Sequence, residues 1–101
     1  MTTNADIRQA LRQVIDPELG VNIVDLGLVY GVEVEGARAQ VVMTTSSPAC
    51  PLGEFLKTQA DDAIRAAAPH LSEVIIEMVH QPAWTPDMMS DEARRQLTGR
   101  A

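Results

Sequence analysis

The chain has 101 residues, of which 46% are apolar but only 3% aromatic, so a core must be packed from Val, Ile, Leu, Met and Ala. The formal net charge is −6, and the few Lys and Arg are scattered, which argues against nucleic acid as a partner. The start, Met1-Thr2-Thr3-Asn4-Ala5-Asp6, lacks a basic and apolar leader, no run is long enough to span a bilayer, and the one cysteine permits no internal disulfide. These features predict one compact domain over residues 1–101, working in the cytoplasm and away from membranes.

Ile7, Ala10, Leu11 and Val14 recur at the spacing of a helical face, with Thr3 or Asn4 placed to cap it. Asp16-Pro17-Glu18-Leu19-Gly20 stops that helix and predicts an ordered loop, because Pro17 pushes Asp16 out of helical geometry and Gly20 allows a left-handed turn. Between Leu28 and Glu35 the period falls to two, with Tyr30, Val32 and Val34 alternating with Glu33 and Glu35. Glu35-Gly36-Ala37-Arg38 reads as a tight turn, and Ala39, Val41 and Met43 continue the alternation, so an antiparallel hairpin is expected. Leu52, Phe55, Leu56, Ala60, Ala63, Ile64 and Ala67 form a second helical stripe that ends at Pro69. Val74, Ile76 and Met78 mark a third strand, Gln81 to Met89 an apolar, proline-stiffened loop, and Ser90 to Leu97 a final short helix. The order α-β-β-α-β-loop-α predicts an α+β fold, with a mixed or mainly antiparallel three-stranded sheet and helices on one face.

Cys50 is the candidate functional thiol. It falls in Thr45-Ser46-Ser47-Pro48-Ala49-Cys50-Pro51-Leu52, between strand and helix, where helix-terminal N–H groups and the macrodipole favour thiolate. Thr45, Ser46 and Ser47 are placed to cap that helix or to hydrogen-bond the sulfur, and Pro51 to open the helix. One Cys with His70 and His80 does not make a closed tetrahedral metal site within one copy; two copies of Cys50 across a homodimer would supply two thiolates for a labile cluster or iron. Asp25 either caps a turn beside Gly27 or lies near Cys50, where it would oppose thiolate formation. Asp16 reads as a helix terminator and Glu18 as a solvated side chain. Trp84 is either cover for the core or a partner anchor, and Met88 and Met89 invite the same two readings.

Three segments taken together, Asp16 to Tyr30, Thr45 to Leu52, and Trp84-Thr85-Pro86-Asp87-Met88-Met89-Ser90, resemble the metal-sulfur cluster assembly family, which includes SufT-like and PaaD-like bacterial proteins. The resemblance spans about Ile7 to Leu97 and implies a small α+β domain that helps to mature iron-sulfur proteins, centred on Cys50. It implies iron-sulfur assembly proteins and client apoproteins as partners, and no enzymatic turnover of its own. The chain departs from the family pattern at Ala49, where Gly is common, and at His80-Gln81, where an aromatic residue and Asp are common. It has no cysteine-rich carboxy-terminal part, which favours the minimal SufT-like type. Two other readings are an adaptor binding through Trp84 and Met88, and a cysteine-dependent enzyme using Cys50, a histidine base and Asp25.

Overall fold

A computed structural model describes residues 2–46 and 52–98. Helix α1 covers Asn4–Leu11, and Thr3 caps it reciprocally: its hydroxyl accepts from the Asp6 N–H, while the Asp6 carboxylate accepts from the Thr3 N–H at 2.9 Å. Ile7, Ala10 and Leu11 form the buried face. Asn4 does not cap the helix; its amide donates to the Val32 carbonyl at 2.6 Å and so ties α1 to the sheet.

The Asp16–Gly20 stretch turns as expected but also closes a small antiparallel ribbon, β1 (Ile15–Asp16) with β2 (Val21–Asn22). The Asp16 carboxylate accepts from the Glu18 N–H at 2.8 Å, the Gly20 N–H donates to the Asp16 carbonyl at 2.7 Å, and Gly20 takes φ 69°. Asp16 is therefore no helix terminator: α1 ends at Leu11, and Asp16 is a buried side chain that organises the ribbon's turn.

β3 (Val29–Glu35) and β4 (Arg38–Met43) form the expected antiparallel hairpin, joined by Gly36-Ala37 with Gly36 at φ 58°. Helix α2 (Gly53–Ala67) then carries the chain to β5 (Glu73–Met78), which runs parallel to β4, so the sheet is mixed with order β3-β4-β5. α1 lies over β3 and α2 over β5, and the two helices pack against each other. Ala39, Val41 and Met43 meet Leu56, Ala60 and Ile64 in one buried cluster. The stripe on α2 is narrower than predicted: Phe55 is 47% exposed, and Ala67 is exposed as well, because Leu56, Ala60 and Ile64 at four-residue spacing already fill the seam.

Beyond β5 the chain makes one 3-10 turn (Pro86–Met88) and helix α3 (Asp91–Thr98). The Ser90 hydroxyl accepts from the Ala93 N–H at 3.1 Å, Asp91 and Glu92 occupy the first turn and Arg95 the last, as suits the helix dipole. α3 does not join α1 and α2 on the sheet; it packs beside β2 and buries Ala93. Among the described residues no helix is long and apolar enough to cross a membrane.

Candidate functional site

Because β4 and β5 are parallel, their carboxy-terminal ends lie together. The Val79 N–H donates to the Met43 carbonyl, and the Thr44 N–H to the Leu28 carbonyl, each at 2.8 Å. Thr44 and Thr45 are buried there despite their hydroxyls. The chain leaves this end of the sheet at Ser46 and returns at Leu52 to begin α2. The two sides of that gap are close: a methyl added to Gly53 would sit 3.7 Å from the Thr45 methyl and 4.0 Å from the Met78 terminal carbon. Ser47, Cys50 and Pro51 lie outside the described residues, and the flanks that carry them are held at the end of the parallel strand pair. The residue at the N-cap position of α2 is Leu52, whose apolar side chain makes no cap hydrogen bond. The helix amide N–H groups face this end, as at any helix N-terminus.

Asp25 is the hub of a hydrogen-bond network, and its expected nearness to Cys50 falls outside the described residues. The Asn22 amide donates to its carboxylate at 2.7 Å, Arg12 contacts both carboxylate oxygens at 3.0 and 3.1 Å, and the Ser90 hydroxyl donates to it at 3.2 Å. Its own N–H donates to the Asn22 side chain at 2.9 Å, and its carbonyl accepts from the Ser90 N–H at 2.7 Å. The turn is thus capped by Asn22, and Asp25 fastens α1, the β2 turn and the start of α3 to one another. The Asn22 hydrogen bond, aided by Arg12 and Ser90, holds the Asp25 carboxyl below its ordinary value of 3.8 against the opposing effect of burial. With a lowered native value, the stabilisation is complete above pH 3.8 and is lost as pH falls through the native value. Asp25→Asn should therefore cost on the order of 1–2 kcal/mol at neutral pH, the half-exposed Arg12 adding the smaller share, and the gap from wild type should close in strong acid. Urea unfolding of both proteins from pH 7 to pH 2 checks this; a gap independent of pH would show that the charge contributes nothing.

The segment around Trp84 is sewn to the chain that leads into β3. The Trp84 indole N–H donates to the Leu26 carbonyl at 2.7 Å, and the Tyr30 hydroxyl donates to the Pro82 carbonyl at 2.7 Å. Gly27 has φ 81°, and a Cβ there would run into the Met88 carbonyl, so this crossing requires glycine. Thr85 precedes the 3-10 turn, Pro86 starts it, and the Asp87 carbonyl accepts from Arg94 at 3.2 Å. Met88 brings its sulfur within 3.6 Å of the Tyr30 hydroxyl yet remains 37% exposed. Leu26 and Leu28 thus connect both motifs, one accepting from Trp84 and the other from Thr44. Trp84 is half-buried against the core, as cover for it. Trp84→Ala should lose about 2–3 kcal/mol, and Trp84→Phe about 1 kcal/mol through the Leu26 carbonyl alone. Thermal unfolding of the two variants measures the split; equal losses would mean that the hydrogen bond carries the whole effect.

The two histidines stand at opposite ends of β5. His70 precedes it and pairs with the Thr2 hydroxyl at 2.7 Å, whereas His80 follows it at the end where β4 leaves the sheet. Among the described residues no group of three or more His, Cys, Asp or Glu side chains is arranged to hold a metal ion. The sequence reading gives Arg12, Asn22, Tyr30 and Ser90 no site role of their own; Asn22 three residues before Asp25 and Ser90 before an acidic helix start carry local signals, while Arg12 and Tyr30 carry none.

The profile of a family described as iron-sulfur cluster assembly protein matches residues 4–78. The chain belongs to this family. Its match takes in the Asp16–Tyr30 and Thr45–Leu52 motifs and stops before Trp84. The chain is 41% identical over 90 residues to the Fe-S protein maturation auxiliary factor YitW of Bacillus subtilis, covering 88% of this chain and 87% of that one. It is 43% identical over 82 residues to the Fe-S protein maturation auxiliary factor SufT of Staphylococcus aureus, covering 80% and 92%. The crystal structure of a Bacillus anthracis domain, described as DUF59 and of unknown function, superposes with a TM-score of 0.91 at 33% identity, covering 94% of this chain and 91% of that one. Family membership and the α+β fold of this family are therefore shown for this chain, and with them a place in iron-sulfur cluster assembly and maturation.

Proposed function

We propose that the chain assists the transfer of iron-sulfur clusters to client apoproteins in the cytoplasm, with Cys50 as the thiolate that meets the cluster or its iron. The observation that supports this best is the placement of the only cysteine: Thr45 and Gly53, on either side of its segment, lie close together at the end of the parallel strands, at the start of α2. A thiolate next to helix N–H groups is favoured electrostatically, and it is a soft ligand suited to iron. Iron-sulfur clusters are ordinarily held by four protein ligands, so one thiolate per copy leaves a cluster partly coordinated. The remaining ligands come from a second copy's Cys50 or from a partner. A cargo held in this way exchanges ligands readily, which fits delivery better than storage. No turnover chemistry is assigned to the chain, and buried Thr45 and half-buried Ser46 support the segment.

Anaerobic reconstitution with iron and sulfide, followed by visible absorption and native mass, tests the reading. The expected result is a cluster spectrum on wild type in an assembly containing at least two thiolates, and none on Cys50→Ser. Client maturation by a Cys50→Ser protein would replace this reading with that of an adaptor. The adaptor reading is favoured by one feature, the exposed apolar side chains of Phe55 and Met88, which offer contact area without any thiol.

A further inference from the structure

The sheet order leaves two edges, and they are treated differently. At β3 the Asn4 side chain occupies the Val32 carbonyl, and α1 stands alongside. At β5, among the described residues, no side chain or loop is hydrogen-bonded to the outer edge, which leaves a six-residue strand, roughly 20 Å long, able to pair further. Beside it runs a groove of about 260 Å³ between β5 and α2. Its floor is Val74 and Ile76, and its wall is Glu54, Lys57, Asp61 and Arg65, spaced along one face of the helix. Arg65 and Asp61 are paired at 3.0 Å, and the wall's charges balance.

The register gives the opposite face of β5 another character. Glu73 stands across from Arg38, Ile75 from Gln40 and Glu77 from Val42, with Glu35 and Glu33 continuing the first two rungs on β3; Arg38 pairs with Glu73 at 3.2 Å and the face stays net acidic. A strand laid along β5 would therefore send alternate side chains over an apolar, charge-balanced groove and over an acidic sheet face.

We infer that the free edge of β5 is a docking site for an extended segment of a partner protein, apolar at alternate positions and bearing Lys or Arg between them. Charge complementarity selects this occupant: the intervening side chains would meet Glu73 and Glu77 across the new strand pair. A second copy of the chain is disfavoured, since antiparallel pairing of β5 with itself about Ile75 would set Glu73 of each copy opposite Glu77 of the other. The docked segment would run along β5 to Met78, whose side chain lies beside Gly53 at the start of α2. The surface stands independently of any role for Cys50.

Titration of the ¹⁵N-labelled full chain with a capped heptapeptide alternating Lys and Val tests the inference. Amide shifts and slowed exchange should concentrate in Glu73–Met78, and the same peptide with Glu in place of Lys should bind roughly two- to thirtyfold more weakly, the effect of two cross-strand charge pairs. The double variant Glu73→Lys, Glu77→Lys alters exposed side chains, gives up only the exposed Arg38 ion pair, and should reverse the preference while the protein stays folded. Unperturbed β5 amides at millimolar peptide, or an unreversed preference in the folded double variant, would overturn the proposal. So would concentration-dependent protection of β5 with a dimeric mass in the protein alone, which would assign the edge to a second copy.

Discussion

Cells whose only copy of the protein carries Cys50→Ser are expected to lose iron-sulfur client maturation to the level of a deletion strain, while the purified variant melts within about 2 °C of wild type. The substitution exchanges sulfur for oxygen with little change in size, so the fold is expected to persist. What changes is affinity: a thiolate is a soft ligand formed near neutral pH, whereas a serine hydroxyl stays protonated and binds iron poorly. Client enzyme activity, set against the amount of folded variant in the same extracts, separates loss of function from loss of protein. Full client activity with the serine protein would leave Cys50 without a role in transfer.

Gly27→Ala is expected to cost about 3 kcal/mol or more, the largest penalty of any single methyl addition considered for this chain. Two effects coincide at that position. A φ of 81° is strained for any residue with a Cβ, and the Met88 carbonyl carbon would lie only 2.8 Å from the added atom, with the carbonyl oxygen nearer still. The obstacle is backbone, so relief requires the Pro82–Ser90 stretch to lift, and with it the Trp84 and Ser90 hydrogen bonds to Leu26 and Asp25. Gly36→Ala isolates the first effect: φ there is 58°, and nothing lies within 4 Å of the added carbon, so a loss near 1 kcal/mol is expected. Urea unfolding of both variants gives the comparison, and equal losses would mean that the crossing over Gly27 can relax freely.

The parts of the fold legible in the sequence are those whose hydrophobic period repeats several times. Ile7, Ala10 and Leu11, the alternation through β3 and β4, and the Leu56, Ala60, Ile64 seam each have enough turns or residues to announce themselves. The β1–β2 ribbon does not, because two residues per strand contain no period, and Asp16, which organises its turn, looks like a helix stop followed by proline. Phe55 was drawn into the core by spacing alone; with no other aromatic on α2, only the packed seam shows that the ring points outward. The candidacy of the thiol rests on its place in the sequence, between a strand and a helix, and Cys50 itself lies outside the described residues. The Asp25 network was half legible: Asn22 and Ser90 have local turn and cap signatures, but Arg12 reaches across 13 residues, and Ser90 across 65.

The attachment of the last segment also bears on how the chain folds in time. Trp84 meets Leu26 across 58 residues, and Ser90 meets Asp25 across 65, so these locks close only after nearly the whole chain has been synthesised. The α1, β3–β4 and α2 contacts span shorter loops and lose less entropy on closing, which favours their formation first. Trp84 is the only tryptophan in the sequence. Its intrinsic fluorescence is therefore a single-site clock for the closing of the final lock, readable in a stopped-flow experiment without any label.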